Sequence, residues 1–358
     1  MHRLLRLPLL ALGSLAASAG LVEAVARLAP GVFRADPWVV MQLDELYQRG
    51  KFLSYVARPY VGFGRPRDDW ACNSSGFQDE EWSLAKPPGV VRIACLGGST
   101  TEGGNHEGHR GNYPTLLESG LDEFARRRGV TVDYETLNFG VSGWTTAETL
   151  ANWFLLAQDY APDVVVLHHA VNDVPPRTYA DYRLDYSHYR KPFEPPQTGS
   201  WLRTLFRTSR AALLLRARSG LPMLDDATNR PRRLANPAPH VLEPLERTAF
   251  RSNVDAIVRH ARSIGATVVL ATLPMRPESR AELPECWSVG CGEHNQVLRE
   301  LAAEHGCVLA DLELAALERP GDLEAAWLDA VHVNGLGNAW KATHIGLAVA
   351  RARPELAA

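Results

Sequence analysis

Four short blocks carry residue types that can do acyl or proton chemistry. The first, Gly97-Gly98-Ser99-Thr100-Thr101-Glu102-Gly103-Gly104, sets a serine in a glycine-rich turn. A serine where a strand turns into a helix lifts its hydroxyl above the sheet, and the helix N-terminus favours the negative charge that a nucleophile develops. Two structural readings compete with catalysis: Ser99 and Glu102 match an S-x-x-E capping box, and the glycines could cradle a phosphate. The phosphate reading lacks both the G-x-x-x-x-G-K-[ST] lysine and a G-x-G-x-x-G run. The second block is Asn138-Phe139-Gly140-Val141-Ser142-Gly143-Trp144-Thr145-Thr146. It reads either as a turn whose Thr145 or Thr146 caps the next helix, or as a place where the Gly143 N–H comes close to a substrate oxygen. The third is Ala170-Val171-Asn172-Asp173, where an Asx turn competes with an Asn172 amide that donates to an oxyanion while Asp173 supports the loop. His168 and His169 just before it would face opposite sides of a strand, which argues against one shared metal. In the fourth, Asp329 and His332 stand three apart inside Trp327-Leu328-Asp329-Ala330-Val331-His332-Val333-Asn334-Gly335. In a tight or helical turn that spacing lets the carboxylate accept from one imidazole nitrogen and hold the other as a base, although read alone the block is more simply an Asp and a His beside an Asn-Gly turn, neither catalytic.

These blocks need strand ends to present them. From Val90 onward, short β-branched runs alternate with longer amphipathic stretches, the pattern of a parallel sheet flanked by helices. Strands are expected at 90–96, 132–137, 164–167, 267–271 and 307–312, and helices at 113–128, 145–160, 248–264, 293–305 and 337–351. Most of the strands are continuously apolar and so covered on both faces; 132–137 alternates and is expected nearer an edge. Residues 31–89 show no sustained period and read as an irregular lead-in, and 90–358 as the main domain. Between 174 and 240 the alternation breaks into a stretch rich in proline and arginine, with a local excess of about +7. It reads as an insertion: a solvated basic loop, or, through Leu213–Leu215, an amphipathic helix on a membrane or over a cleft.

The 358 residues carry 46% hydrophobic and 22% charged side chains with a net charge of -3, which excludes a disordered or collagen-like chain. No global basic excess favours nucleic acid. Residues 1–30 place Arg3 and Arg6 ahead of an uncharged apolar run from Leu7 to Val22, an export signal in form. Ala17-Ser18-Ala19 offers a cleavage site, but the run falls only slightly short of a membrane span, and an uncleaved anchor is the slightly favoured reading. The rest of the chain is then expected outside the cytoplasm, where Cys286 and Cys291 could close a small disulfide loop. The five cysteines are too few to frame the fold.

Taken together and in this order, Ser99 in G-G-S-T, Gly143 in N-x-G-x-x-G-x-T-T, Asn172 in N-D and Asp329/His332 in D-x-x-H resemble the SGNH, or GDSL-type, hydrolases. The resemblance runs from about residue 73 to 345 and includes Asn73-Ser74-Ser75-Gly76-Phe77, similar to a segment of exported bacterial members. It departs from the family pattern at Gly98, where G-D-S has Asp, and at Ala170, where G-x-N-D has Gly. The resemblance implies a three-layer α/β/α sandwich on a parallel, flavodoxin-like sheet, and a serine esterase acting on an O-acyl group of an envelope lipid or carbohydrate. It further implies Ser99 as nucleophile, His332 as base, Asp329 as its partner, and Ser99, Gly143 and Asn172 as the oxyanion hole. The same site could transfer the acyl group to a sugar hydroxyl, or the chain could be a silent scaffold in polysaccharide assembly; the complete set of catalytic residue types argues against silence. The mechanism calls for no metal or cofactor. Membrane contact is expected, if anywhere, through the N-terminal segment and the basic insertion.

Overall fold

The computed structural model describes residues 6–35, 40, 43, 56–65, 72–103, 108–190, 200–219, 242–277 and 285–353. The chain forms two compact units, one from Met1–Ala57 with Phe193–Arg232, the other from Arg58–Pro192 with Arg233–Ala358. The boundary falls inside the basic stretch of 174–240, so its first residues belong to the second unit.

In the first unit a helix spans Arg6–Leu28, and Glu23 near its end accepts from the backbone N–H of Arg210 at 2.8 Å and of Ala211 at 3.0 Å. Those two residues begin the helix Arg210–Arg218, whose Ala211 and Leu214 pack with Ala26 and Phe33 while Leu213 and Ala217 pack with Leu43. Leu213 and Leu214 are therefore buried inside their own unit, and only Leu215 of the three leucines is exposed. Among the described residues no helix is long and apolar enough to cross a membrane.

The second unit is an α/β sandwich. The strands of its central sheet are β1 (Val90–Gly97), β2 (Asp133–Gly140), β3 (Val164–His168), β4 (Thr267–Ala271) and β5 (Val308–Ala310). All neighbours are parallel, in the order β2-β1-β3-β4-β5, the flavodoxin-like arrangement. The helices are α1 (Ser99–Glu102), α2 (Tyr113–Arg128), α3 (Thr146–Leu155), α4 (Ala249–Ser263), α5 (Glu285–His305), α6 (Leu312–Glu318) and α7 (Gly335–Ala352). Alternate strand residues Val91, Ile93 and Cys95, with Val164, Val166 and Val269, meet Leu117 and Leu121 of α2 and Ile345 and Val349 of α7. That burial of branched side chains is the main source of stability for this face.

The alternating run lies at the edge, as its pattern predicts, and the edge is closed by side chains. Outward N–H groups of Tyr134, Thr136 and Asn138 donate to Asp122 at 3.0 Å, Glu118 at 2.7 Å and Asp79 at 2.8 Å. Carboxylates thus take the hydrogen bonds that another chain would otherwise find. Burial pushes the Asp79 carboxyl up, to about 7, against the pull of its backbone donors and Trp82. Residues 72–89 contain no helix or strand yet are tightly held: Phe77 and Trp82 pack on Phe139 at 5.1 and 4.8 Å between ring centroids. Fully buried Arg92 donates to the carbonyls of Ser83 at 2.7 Å and Tyr160 at 2.8 Å.

Two expectations are corrected. The strand expected at 307–312 stops at Ala310, because Asp311 turns to cap α6 by accepting from the Leu314 N–H at 3.2 Å. Cys286 and Cys291 are both free. They lie in α5, which begins at Glu285, well before the expected 293; five residues along a helix leave two side chains about 140° apart, so no loop brings the thiols together.

Candidate active site

The sheet register brings three of the four blocks level. Gly97 pairs with Gly140 on one side and with His168 on the other, so the chain leaves β1, β2 and β3 at the same height. The segments carrying Ser99, Gly143 and Asn172 therefore emerge together at the carboxyl edge, where ligands bind in open parallel sheets.

The fourth block arrives from the far end of the chain. Asp329 Oδ1 accepts from the backbone N–H of Val331 at 2.9 Å and of His332 at 2.8 Å, closing a tight turn. Asn334 then caps α7 by accepting from the Leu336 N–H at 3.0 Å. Within that turn His332 Nδ1 lies 2.7 Å from Asp329 Oδ2, and His332 Nε2 lies 2.8 Å from Ser99 Oγ. An ionised carboxylate only accepts, so Nδ1 carries the proton and donates to Asp329. Nε2 is left with a lone pair facing the Ser99 hydroxyl, which donates to it. Partial burial would raise the Asp329 carboxyl, but the His332 hydrogen bond and charge and the two backbone donors hold it down at about 2. It is thus charged through the workable pH range. The site is open, with the side chains of His332 and Asp329 38% and 43% exposed.

Asn172 Nδ2 donates to the Trp144 carbonyl at 2.8 Å, which fixes its amide beside the turn that carries Ser99. A Cβ built on Gly98 would lie 2.4 Å from that Nδ2 and 3.3 Å from the Trp144 oxygen. The residue that departs from G-D-S therefore makes room for the pinned amide. Gly98→Ala is expected to push the Asn172 amide off the Trp144 carbonyl while leaving circular dichroism unchanged; an Asn172 side-chain amide NMR signal that does not move in the folded variant would show that the site absorbs the added methyl. Behind Asn172, buried Asp173 accepts from the Thr146 hydroxyl and the Tyr186 hydroxyl, each at 2.6 Å.

Gly143 has φ +81, a conformation that strains any other L residue. On either side of it stand acidic and basic side chains that local sequence reading missed. Glu102, read from its spacing as the partner of Ser99 in a capping box, instead accepts from the Ser142 N–H at 3.1 Å and from its hydroxyl, and pairs with Arg65 at 2.7 Å. Gly98 is the residue at the N-cap of α1, with no side-chain cap. Arg190 donates to the Gly143 carbonyl and to Glu148 at 2.7 Å. Lys341, buried in α7, donates to the Thr100 carbonyl at 2.7 Å, and burial lowers it to about 7. None of these has a local signal, because each partner is distant in the chain.

His168 and His169 do face opposite sides. His168 Nδ1 reaches the Ala271 carbonyl at 3.3 Å and its ring packs on Tyr113 of α2, while His169 Nε2 lies 2.7 Å from Thr149 of α3. Burial lowers both, to about 3, so they stay neutral. Among the described residues no group of three His, Cys, Asp or Glu side chains could hold a metal ion.

Residues 95–340 match the model of the GDSL-like lipase/acylhydrolase family, more than half of the chain. The chain belongs to this family. Membership makes it a serine hydrolase acting on ester bonds. Similar solved structures include an alpha/beta hydrolase enzyme from the metagenome of Lake Arreo, Spain, at 18% identity and TM-score 0.45, covering 74% of this chain and 96% of that one. Others are a lipase/acylhydrolase from Enterococcus faecalis (18%, 0.45, covering 72% and 95%) and an acetylxylan esterase from Geobacillus stearothermophilus (16%, 0.44, covering 73% and 93%). No curated protein matches the chain.

Proposed function

We propose that this GDSL-like enzyme cleaves an O-acyl ester through Ser99, His332 and Asp329. The observation that carries the proposal is the unbroken run from Ser99 Oγ through His332 Nε2 and Nδ1 to Asp329 Oδ2, in steps of 2.8 and 2.7 Å. Ser99 Oγ attacks the ester carbonyl while His332 takes its proton, then passes it to the leaving alcohol; water repeats the cycle on the acyl-enzyme. The oxyanion is met by the Ser99 N–H, the Gly143 N–H and the second N–H of the Asn172 amide, whose first goes to Trp144.

The openness of the site supports an ester borne on a larger molecule, a carbohydrate or lipid, and the reading of residues 1–30 as an export signal supports one of the cell envelope. That openness equally leaves space for a sugar hydroxyl to replace water, which would make the reaction a transfer. Export rests on Arg3, Arg6 and the apolar run that follows them.

A fluorophosphonate probe on the full chain is expected to label Ser99, with the adduct mapped by peptide mass spectrometry. Folded protein that takes up no label there would overturn the proposal. Transfer is tested by adding sugar acceptors and following acylated product; where water always wins, hydrolysis stands. A fusion of residues 1–30 to a reporter active only outside the cytoplasm checks export.

The pH profile has a defined sign. A protonated imidazole cannot accept the Ser99 proton, whereas Asp329, held at about 2, does not titrate in this range. As pH falls, kcat/KM is expected to decline with the slope of a single proton and to level off on the alkaline side. A kcat/KM that does not decline on the acid side at any pH where the protein stays folded would remove His332 as the base.

A further inference from the structure

We infer that two ion pairs clamp the loop that presents the Gly143 N–H, and that Arg190 and Glu102 are positioning residues for the oxyanion hole. The inference rests on the reading of that N–H as an oxyanion donor.

The N–H in question belongs to the peptide between Ser142 and Gly143. The peptide before it is held through the Ser142 N–H, which donates to Glu102 at 3.1 Å, and the Ser142 hydroxyl donates to the same carboxylate oxygen. The peptide after it is held through the Gly143 carbonyl, which accepts from Arg190 Nη2. With both neighbours fixed and Gly143 at φ +81, the central peptide has little freedom to rotate.

Each holding group is itself held. Glu102 is fully buried and paired with Arg65 at 2.7 Å, whose side chain is 16% exposed. Arg190 is paired with Glu148 at 2.7 Å, and its guanidinium stands 5.4 Å from the Phe63 ring centroid and 4.8 Å from that of Tyr189. Glu148 also accepts from the Thr145 N–H at 2.7 Å, which ties the clamp to the first turn of α3. Charged groups packed this way keep a donor aimed without reorganising as the oxyanion forms. The basic stretch that begins at residue 174 thus contributes to the chemistry through Arg190.

The clamp predicts an effect on the transition state and not on substrate binding. With a short-chain nitrophenyl ester, Arg190→Met is expected to lower kcat about tenfold and leave KM within twofold. Affinity for a phenylboronic acid, whose adduct with a serine is tetrahedral, should fall by the same factor. Adding Glu148→Gln to Arg190→Met should cost less than a further twofold, because both act through one carbonyl. If Arg190→Met does not fold, Arg190→Lys takes its place with the same readouts, since an ammonium cannot reproduce the planar two-way grip. Retention of kcat within twofold, a loss confined to KM, or unchanged boronate affinity would overturn the clamp. Ser99→Ala, run in parallel, separates the two ideas: persistent turnover there rejects the site itself, whereas an inactive Ser99→Ala beside a fully active Arg190→Met rejects only the clamp.

Discussion

Replacing Ser99 with alanine is expected to lower kcat by roughly ten-thousand- to a million-fold, and replacing His332 with alanine to cost about as much. In the proposed mechanism the two side chains act as one unit, since the hydroxyl that attacks is the one whose proton passes to His332 Nε2, 2.8 Å away. Removing either leaves the other with nothing to do. The double variant should therefore be no slower than the worse single variant, an extreme departure from additivity. Residual turnover above the uncatalysed rate would come from the oxyanion donors alone. Burst and steady-state kinetics on a chromogenic ester check this. Losses that multiply in the double variant would mean that Ser99 and His332 work independently. Neither change should disturb folding, because Ser99 is only partly buried and the His332 side chain is 38% exposed.

Asp329→Asn is expected to lower kcat on the order of ten-thousandfold while leaving the turn in place. The physical cause is the tautomer. Asp329 Oδ2 accepts from His332 Nδ1, which leaves Nε2 free to accept from Ser99. An asparagine keeps Oδ1 for the Val331 and His332 N–H groups, so its amide nitrogen turns toward the imidazole. The ring then accepts at Nδ1 and carries its proton at Nε2, facing the serine with a donor. Raising the pH should not restore kcat, because the fault is the position of the proton and not the charge. Kinetics up to about pH 9, with the imidazole tautomer followed by ¹⁵N NMR, decide the matter. A loss of less than about tenfold would show that the carboxylate does not set the tautomer.

Most of the second unit's plan is legible in local pattern. The helix over 113–128 and the strand over 267–271 have the bounds that their apolar spacing suggests. The alternating run at 132–137 belongs to the edge strand. Legibility fails where a side chain's partner is remote. Glu102 stands three residues from Ser99, the spacing of a capping box, yet a buried carboxylate goes to the strongest donors within reach, which are Arg65 and the Ser142 N–H and hydroxyl. Residues 72–89 carry no periodic signal because their hydrogen bonds are irregular, some within the segment, as from the Phe77 N–H to Asn73, and some to Arg92 and Asn138. The cysteines of α5 misled because spacing in sequence says nothing of direction in space, and a helix turns the two thiols apart.

By itself the sequence determined the alternation of strands and helices and the order of the four blocks along it, with Asp329 and His332 spaced so that a turn could join them. All of these depend on short-range sterics and on burying apolar faces, which a local pattern encodes directly. Only the tertiary structure decided that Ser99 and His332, 233 residues apart, stand 2.8 Å from each other. It alone showed that Gly98 makes room for the Asn172 amide, and that Glu102 and Arg190 grip the loop of Gly143 from both sides. Those contacts depend on strand register and on how distant segments pack, and such distances are set only when the sheet closes around a common core.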